Sequence, residues 1–323
     1  MRSWPLFDAA DAFPEFTTLR AAMAERDWSA VATFFAGLAT SDGVICAASV
    51  AAEVSDSEEF LKKRATMPWP DPLAGLLFAE RLIVLGWTAR TTARAKHVSR
   101  QQFAKFHEYL RDAERILMDV TARDPGNVPA WAARLKTARG LELGQAEARR
   151  RYDRGAMRDP HCYQAQLALL QQLCPKWNGT LEGAHAFASE CAQAAPDGSL
   201  NASLVAWAHI EHWMELSEAD QAGYLARQEI QQELVDAANR SVLHPAFRKV
   251  HGWVSAHSSF AMAFSLAGNH STAARHFEAL GDLASESPWS YLPDAAAGIQ
   301  RHRAAAALAV NATAQASGAG AAT

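Results

Sequence analysis

Arg123-Asp124-Pro125 recurs as Arg158-Asp159-Pro160, 35 residues later, and Pro196 follows after another 36. A period near 34 residues with proline closing each unit is what stacked helix–turn–helix repeats produce. In the first unit Trp131 and Leu135 stand at helical spacing, a turn falls at Gly144, and Ala148, Tyr152 and Ala156 follow on a second helix. Small residues let two helices approach, and an aromatic ring fills the space beside them. The second unit repeats the scheme with Leu167 and Leu170, a turn at Asn178-Gly179, and Ala184, Ala188 and Cys191.

Copies recur on either side. Phe264, Leu266-Ala267-Gly268-Asn269-His270, Ala273, Ala274, Phe277 and Leu280 form a C-terminal one, with Gly268-Asn269 where a helix end calls for positive φ. A degenerate copy holds Leu19, Ala22, Asp27-Trp28, Val31, Phe34 and Phe35. Strong helix formers abound, whereas runs of alternating β-branched and aromatic residues are nearly absent. Asp27, Ser55, Ser99, Asn178, Ser199 and Ser217 read as N-caps, and Ser55/Glu58 and Ser99/Gln102 have capping-box spacing. The pattern predicts helices over 14–25, 28–40, 43–53, 57–66, 72–96, 100–123, 127–142, 144–158, 161–174, 180–194, 200–215, 220–241, 248–267, 270–284 and 293–310. The expected fold is all-α, an α-solenoid of antiparallel helix pairs wound as a tetratricopeptide-like right-handed superhelix. Pro68, Pro70 and Pro72 mark a break between degenerate repeats at 1–67 and the main array at 68–311. The alanine-rich tail, 312–323, has little to bury and is expected to be disordered.

Composition narrows the function classes. The formal net charge of -4 leaves no global electrostatic footprint for nucleic acid. Four cysteines in 323 residues, none in a Cys-x-x-Cys, do not make a disulfide framework. The first residues lack a secretory pattern, and no run reaches about 18 apolar residues, so neither export nor a membrane span is expected. The cytoplasm is the expected compartment.

The segment Leu173-Cys174-Pro175-Lys176-Trp177-Asn178-Gly179-Thr180, followed by Ala186-Phe187-Ala188, is the most specific motif. It resembles the bacterial helical family known as domain of unknown function 4034, in which a Pro-Lys/Arg-Trp-Gly-Gly-Ser turn joins two helices and a Phe-Ala pair follows. Asn178 and Thr180 depart from that pattern conservatively, since Asn tolerates the left-handed region and Thr can cap. The helix pairs themselves resemble tetratricopeptide repeats. These likenesses imply a helical fold and no particular reaction. Tetratricopeptide domains that clamp C-terminal carboxylates carry a Lys four residues before an Asn, and no Asn of this chain has one.

Candidate chemistry is sparse. His209, His212 and Glu215 fall three apart on one helical face and form the best metal candidate, still short of a ligand. His107-Glu108 lacks the second histidine of a zinc-protease helix, Arg111 standing in its place. Neither a phosphate loop nor a Gly-x-Ser-x-Gly elbow occurs, so no cofactor is expected. Arg150, Arg154 and Arg158 form a stripe suited to an acidic partner or a phosphate backbone, or else a solvated outer face with Tyr152 and Ala156 turned inward. Trp177 at its turn can rim a groove or staple neighbouring repeats.

The sequence thus points to a non-catalytic interaction module that takes a peptide or partner protein on a helical-repeat groove. The alternative is a helical enzyme or metal-binding protein with a pocket lined by His209, His212, His251 and His257.

Overall fold

The two Arg-Asp-Pro corners fold alike. Asp124 Oδ1 accepts from the amide of Gly126 at 3.1 Å, and Asp159 Oδ1 from that of His161 at 3.3 Å. The Pro125 carbonyl accepts from Trp131 Nε1, and the Pro160 carbonyl from Gln166 Nε2, both at 2.9 Å. A third such bond runs from Gln231 Nε2 to the Leu225 carbonyl at 2.8 Å. Each donor sits one turn inside its helix and reaches back six residues, fixing the angle at which the chain turns in.

The computed structural model describes residues 4–67, 71–91 and 97–320. The chain is all-helical. Its α-helices are α1 Ala9–Ala12, α2 Phe16–Ala24, α3 Trp28–Ala36, α4 Ser41–Ala52, α5 Glu58–Ala65, α6 Pro72–Arg90, α7 Arg100–Arg123, α8 Val128–Gly140 and α9 Gln145–Ala156. They continue as α10 Tyr163–Leu173, α11 Leu181–Ala194, α12 Leu204–Glu215, α13 Glu218–Tyr224, α14 Gln228–Arg240, α15 Trp253–Leu266, α16 His270–Leu280, α17 Glu286–Trp289 and α18 Ala295–Gly320. Extended pairing among the described residues is confined to one isolated parallel bridge, Leu6 with Leu283.

Local chemistry sets these boundaries. Asp27, Thr40, Asp71, Asn127, Thr180, Ser217 and Asn269 each cap a helix through a side-chain oxygen. Ser99 and Gln102 complete a reciprocal capping box on α7. The expected box at Ser55 and Glu58 does not form: Ser57 is the N-cap of α5, and its hydroxyl donates to the Val54 carbonyl. Asn178 takes the left-handed conformation at φ 63°, leaving the cap to Thr180. Leu200, not Ser199, precedes the 3₁₀ turn Asn201–Ser203. The helix expected over 220–241 is two, because the chain turns between Tyr224 and Gln228.

Two compact units emerge: residues 13–179, and residues 180–323 together with 1–12. Residues 68–70, where the sequence placed its break, lie outside the described residues. Helix α18 runs through Gly320, so helix extends into the tail expected to be disordered. Alanine is the strongest helix former, and a helix already nucleated propagates through it.

Within residues 13–179, α4, α5, α7 and α8 pack around α6, and α8 in turn meets α9 and α10. Helix α6 is long and apolar enough to cross a membrane, which the sequence reading did not anticipate. It carries Glu80 and Arg81 into the interior, Arg81 pairing with Glu58 at 2.6 Å. Helix α8 lies close on α7 at Gly140, where a Cβ would meet Leu110 Cδ1 at 2.2 Å.

The centre of this unit is polar. Glu114 of α7 accepts from Arg134 of α8 at 2.8 Å and from Arg151 of α9 at 2.9 Å, and Thr137 donates to its second oxygen at 2.5 Å. Arg151 also pairs with Glu147 at 2.7 Å, so two guanidinium groups meet two carboxylates. Away from this centre, Asp42 of α4 receives the Tyr163 and Gln164 amides of α10 at 3.2 and 2.8 Å, capping a helix 122 residues away. Burial raises the Asp42 carboxyl above its ordinary range, against the opposing pull of those two amides.

In the other unit, α11 packs on α12, which meets α14 and α15; α15 pairs with α16, and α16 meets α18. Phe264, Ala273, Phe277 and Leu280 are buried in the α15–α16 hairpin, and Gly268 turns it at φ 74°.

Removing Glu114 leaves buried Arg134 without its carboxylate and Arg151 with Glu147 alone. Glu114→Ala is expected to cost about 3–5 kcal/mol of unfolding free energy, and urea denaturation measures it. A loss below about 1 kcal/mol, the scale of a surface ion pair, would show the network to be dispensable.

Candidate functional site

In residues 13–179 a groove of about 790 Å³ is lined by successive helices. Helix α4 and its cap supply Ser49 and Glu53, α6 supplies Glu80, Ile83, Val84, Trp87 and Thr88, α8 supplies Lys136 and Arg139, and α10 supplies Gln171. Lys176 and Trp177 of the turn after α10 complete the lining. Lys136 Nζ binds both oxygens of buried Glu80, at 2.8 and 2.9 Å, and so joins α6 to α8.

The lining around the tryptophans is tightly organised. Trp87 meets Trp177 edge-on at 6.0 Å between ring centres, and packs on Phe106 at 4.8 Å. Arg139 Cζ lies 5.9 Å from the Trp87 ring centre and 5.7 Å from that of Trp177, within cation–π range of both. Gln145 Nε2 and Gln172 Nε2 donate to the Trp177 carbonyl at 2.8 and 3.2 Å, holding the turn. Gly179 is obligatory there, because a Cβ would sit 1.9 Å from the Leu173 carbonyl oxygen. The Pro-Lys-Trp-Asn-Gly-Thr motif is therefore a device for fixing Trp177 in the groove lining.

The arginine stripe lies elsewhere. Arg150, Arg154 and Met157 border a separate depression of about 450 Å³ with Ala146, Arg149 and Asp153. Arg150 is held bidentately by Glu147 at 2.7 Å, and Arg149 pairs with Asp153 at 2.9 Å. Arg154 and Arg158 are exposed. Trp177 is not among the residues lining that depression.

A second constellation occupies the other unit. His209 and His212 of α12 do converge, but on His185 of α11, Tyr224 of α13 and Glu233 of α14, while Glu215 stands exposed outside the cluster. The Glu233 carboxylate accepts from His209 Nε2 at 2.9 Å. That proton assignment leaves His209 Nδ1 to accept from the Tyr224 hydroxyl at 2.9 Å. His212 Nδ1 then donates toward the Tyr224 oxygen at 2.8 Å and His185 Nε2 at 3.1 Å. Burial pushes His185 and His209 down to about 4, with neighbouring histidines adding to the effect, and burial lifts the Tyr224 phenol. His185 and Glu233, the two ends of the chain, both line a cleft of about 510 Å³ with Asp236 and Arg240. Among the described residues no group of three or more His, Cys, Asp and Glu side chains is arranged to hold a metal ion. His257 belongs to a different pair, 3.1 Å from His276 within an aromatic nest of Phe260 and Phe264.

No family model, curated protein or solved structure matches this chain. The groove and the cleft therefore stand on their own geometry.

Sequence reasoning reached Trp177, His209 and His212. It missed Trp87, Lys136 and Arg139, and it missed His185, Tyr224 and Glu233. The local signal for Trp87 was an aromatic in the last turn of a largely apolar helix.

The buried histidines make a pH prediction. Burial also lowers His257 to about 4. An unfolded imidazole takes its proton near pH 6.5, so the native state is fully stable above that value and loses stability as pH falls toward 4. The slope is up to about 1.4 kcal/mol per pH unit for each such histidine. Thermal denaturation should show Tm falling between pH 6.5 and 4, with a shallower fall in His257→Phe. An unchanged Tm across that range would contradict the buried, neutral assignment.

Proposed function

We propose that this protein is a non-catalytic interaction module. Residues 13–179 form a short solenoid of antiparallel, tetratricopeptide-like helix pairs whose groove takes an extended partner segment. The groove carries this reading: α4, α6, α8 and α10 supply its walls, and α5, α7 and α9 pack against those helices without lining it. Alternate helices sharing one face are the expected consequence of stacking helix pairs, and such a face binds peptides. The matching hydrogen bonds at the two Arg-Asp-Pro corners support a true repeat. The likeness to the domain of unknown function 4034 family rests on the sequence of the turn, Pro175-Lys176-Trp177-Asn178-Gly179-Thr180.

One observation favours a second reading. Both ends of the His–Tyr–Glu chain open on a single cleft, as in a small-ligand site. The groove is preferred because it presents two half-buried tryptophans, the side chains that most often anchor partners.

Selection of displayed peptides on the full chain, followed by hydrogen exchange with a selected peptide bound, separates the two. Protection is expected over α6, α8 and the Pro175–Trp177 turn, with affinity reduced about tenfold or more by Trp177→Ala. Protection over α11 and α14 instead would support the cleft and discard the groove.

A further inference from the structure

We propose that the outer face of α9 docks an acidic amphipathic helix of a partner protein, at a surface independent of the groove. That face belongs to one helix and its cap. Ala146, Arg150, Arg154 and Met157 border the depression of about 450 Å³, and exposed Arg158 follows directly on Met157. None of these residues lines the groove.

The orientation of this face is set from behind. Arg151 is 3% exposed and bound to Glu114 and Glu147. With that arginine pinned inward, α9 cannot roll, and Arg150, Arg154 and Met157 stand in fixed places toward solvent. A surface held in advance loses little freedom when a partner binds.

Charge on the face is only partly compensated. Glu147 holds Arg150 through both oxygens, and Asp153 pairs with Arg149. Arg154 and Arg158 are exposed, and neither guanidinium makes a hydrogen bond or ion pair with a described residue. Between them stands Met157, 72% exposed, the most exposed large hydrophobic side chain among the described residues. Each guanidinium fork matches a carboxylate bidentately, and a thioether adapts to an apolar neighbour of any shape. The complementary surface carries carboxylates about one helical turn apart beside an apolar side chain, a pattern that a helix displays on one face.

A protein helix suits this face better than a phosphate backbone. Met157 offers a phosphate nothing, and the exposed carboxylate of Asp153 inside the depression repels one. The net charge of -4 supplies no wider attraction for nucleic acid.

The test is fluorescence anisotropy with the full chain and labelled peptides of about eighteen residues, long enough to form a helix, blocked at both termini. One carries glutamate at every fourth position with leucine three residues after each; its control has glutamine for every glutamate. A labelled DNA duplex of similar length is the third probe. The glutamate peptide should bind about fivefold tighter than the glutamine control, with the advantage shrinking in added salt. The double variant Arg154→Gln, Arg158→Gln should erase that advantage, and Met157→Ala should weaken both peptides. All three positions are exposed, so Tm should not change. Trp177→Ala, which removes a groove residue, should leave the glutamate peptide bound as before. Equal binding of the two peptides, or binding lost in Trp177→Ala, would overturn the α9 surface. Preference for the duplex would overturn the acidic helix as occupant. Self-association of the full chain in sedimentation, abolished by the double variant, would give the face to a second copy and overturn the partner.

Discussion

Three helices of the 13–179 unit are pinned by one carboxylate. Glu114 takes two guanidinium groups from different helices, and a threonine hydroxyl completes its lone pairs. Buried charge is tolerated only when paired and hydrogen-bonded. The register of α7, α8 and α9 therefore has little freedom: sliding one helix by a turn would leave a buried ion without its partner. Lys136 and Arg139 sit on the same helix as Arg134, so the network that fixes α8 also fixes which residues face the groove.

The two units use polar chemistry differently. The 13–179 unit buries full charges in compensated sets, Glu114 with Arg134 and Arg151, and Glu80 with Lys136. The 180–323 unit buries neutral imidazoles and a phenol, linked in sequence to a half-exposed carboxylate. Ion pairs hold geometry over a wide pH range. Neutral histidines hold it only while they stay unprotonated, which ties the second unit to pH through its imidazoles.

Much of the fold was legible because helix punctuation is local. Asp27, Ser99 and Ser217 announce their helices through spacing alone, and the Arg-Asp-Pro period marks two corners that fold alike. Ser55 misled because two serines compete for one cap, and the choice depends on backbone conformation that spacing does not encode. The inward turn of Arg151 was illegible for another reason. An arginine among arginines looks solvated until a carboxylate from a distant helix appears beside it. The same applies to the sites: Trp177 and the His209/His212 pair are local patterns, whereas Arg139 beside Trp87, and His185 beside His212, are products of packing between helices.

Stacked repeats ordinarily interact only with their neighbours and can melt from the ends. Asp42 alters that arithmetic. Its carboxylate caps α10 across 122 residues of chain, so a helix near the start of the unit completes one near its end. Helices α4 and α10, which both line the groove, are thereby tied directly to each other. Loss of α4 would uncover the first amides of α10, the helix that leads into the turn carrying Trp177, so the groove's lining and the integrity of the unit are coupled.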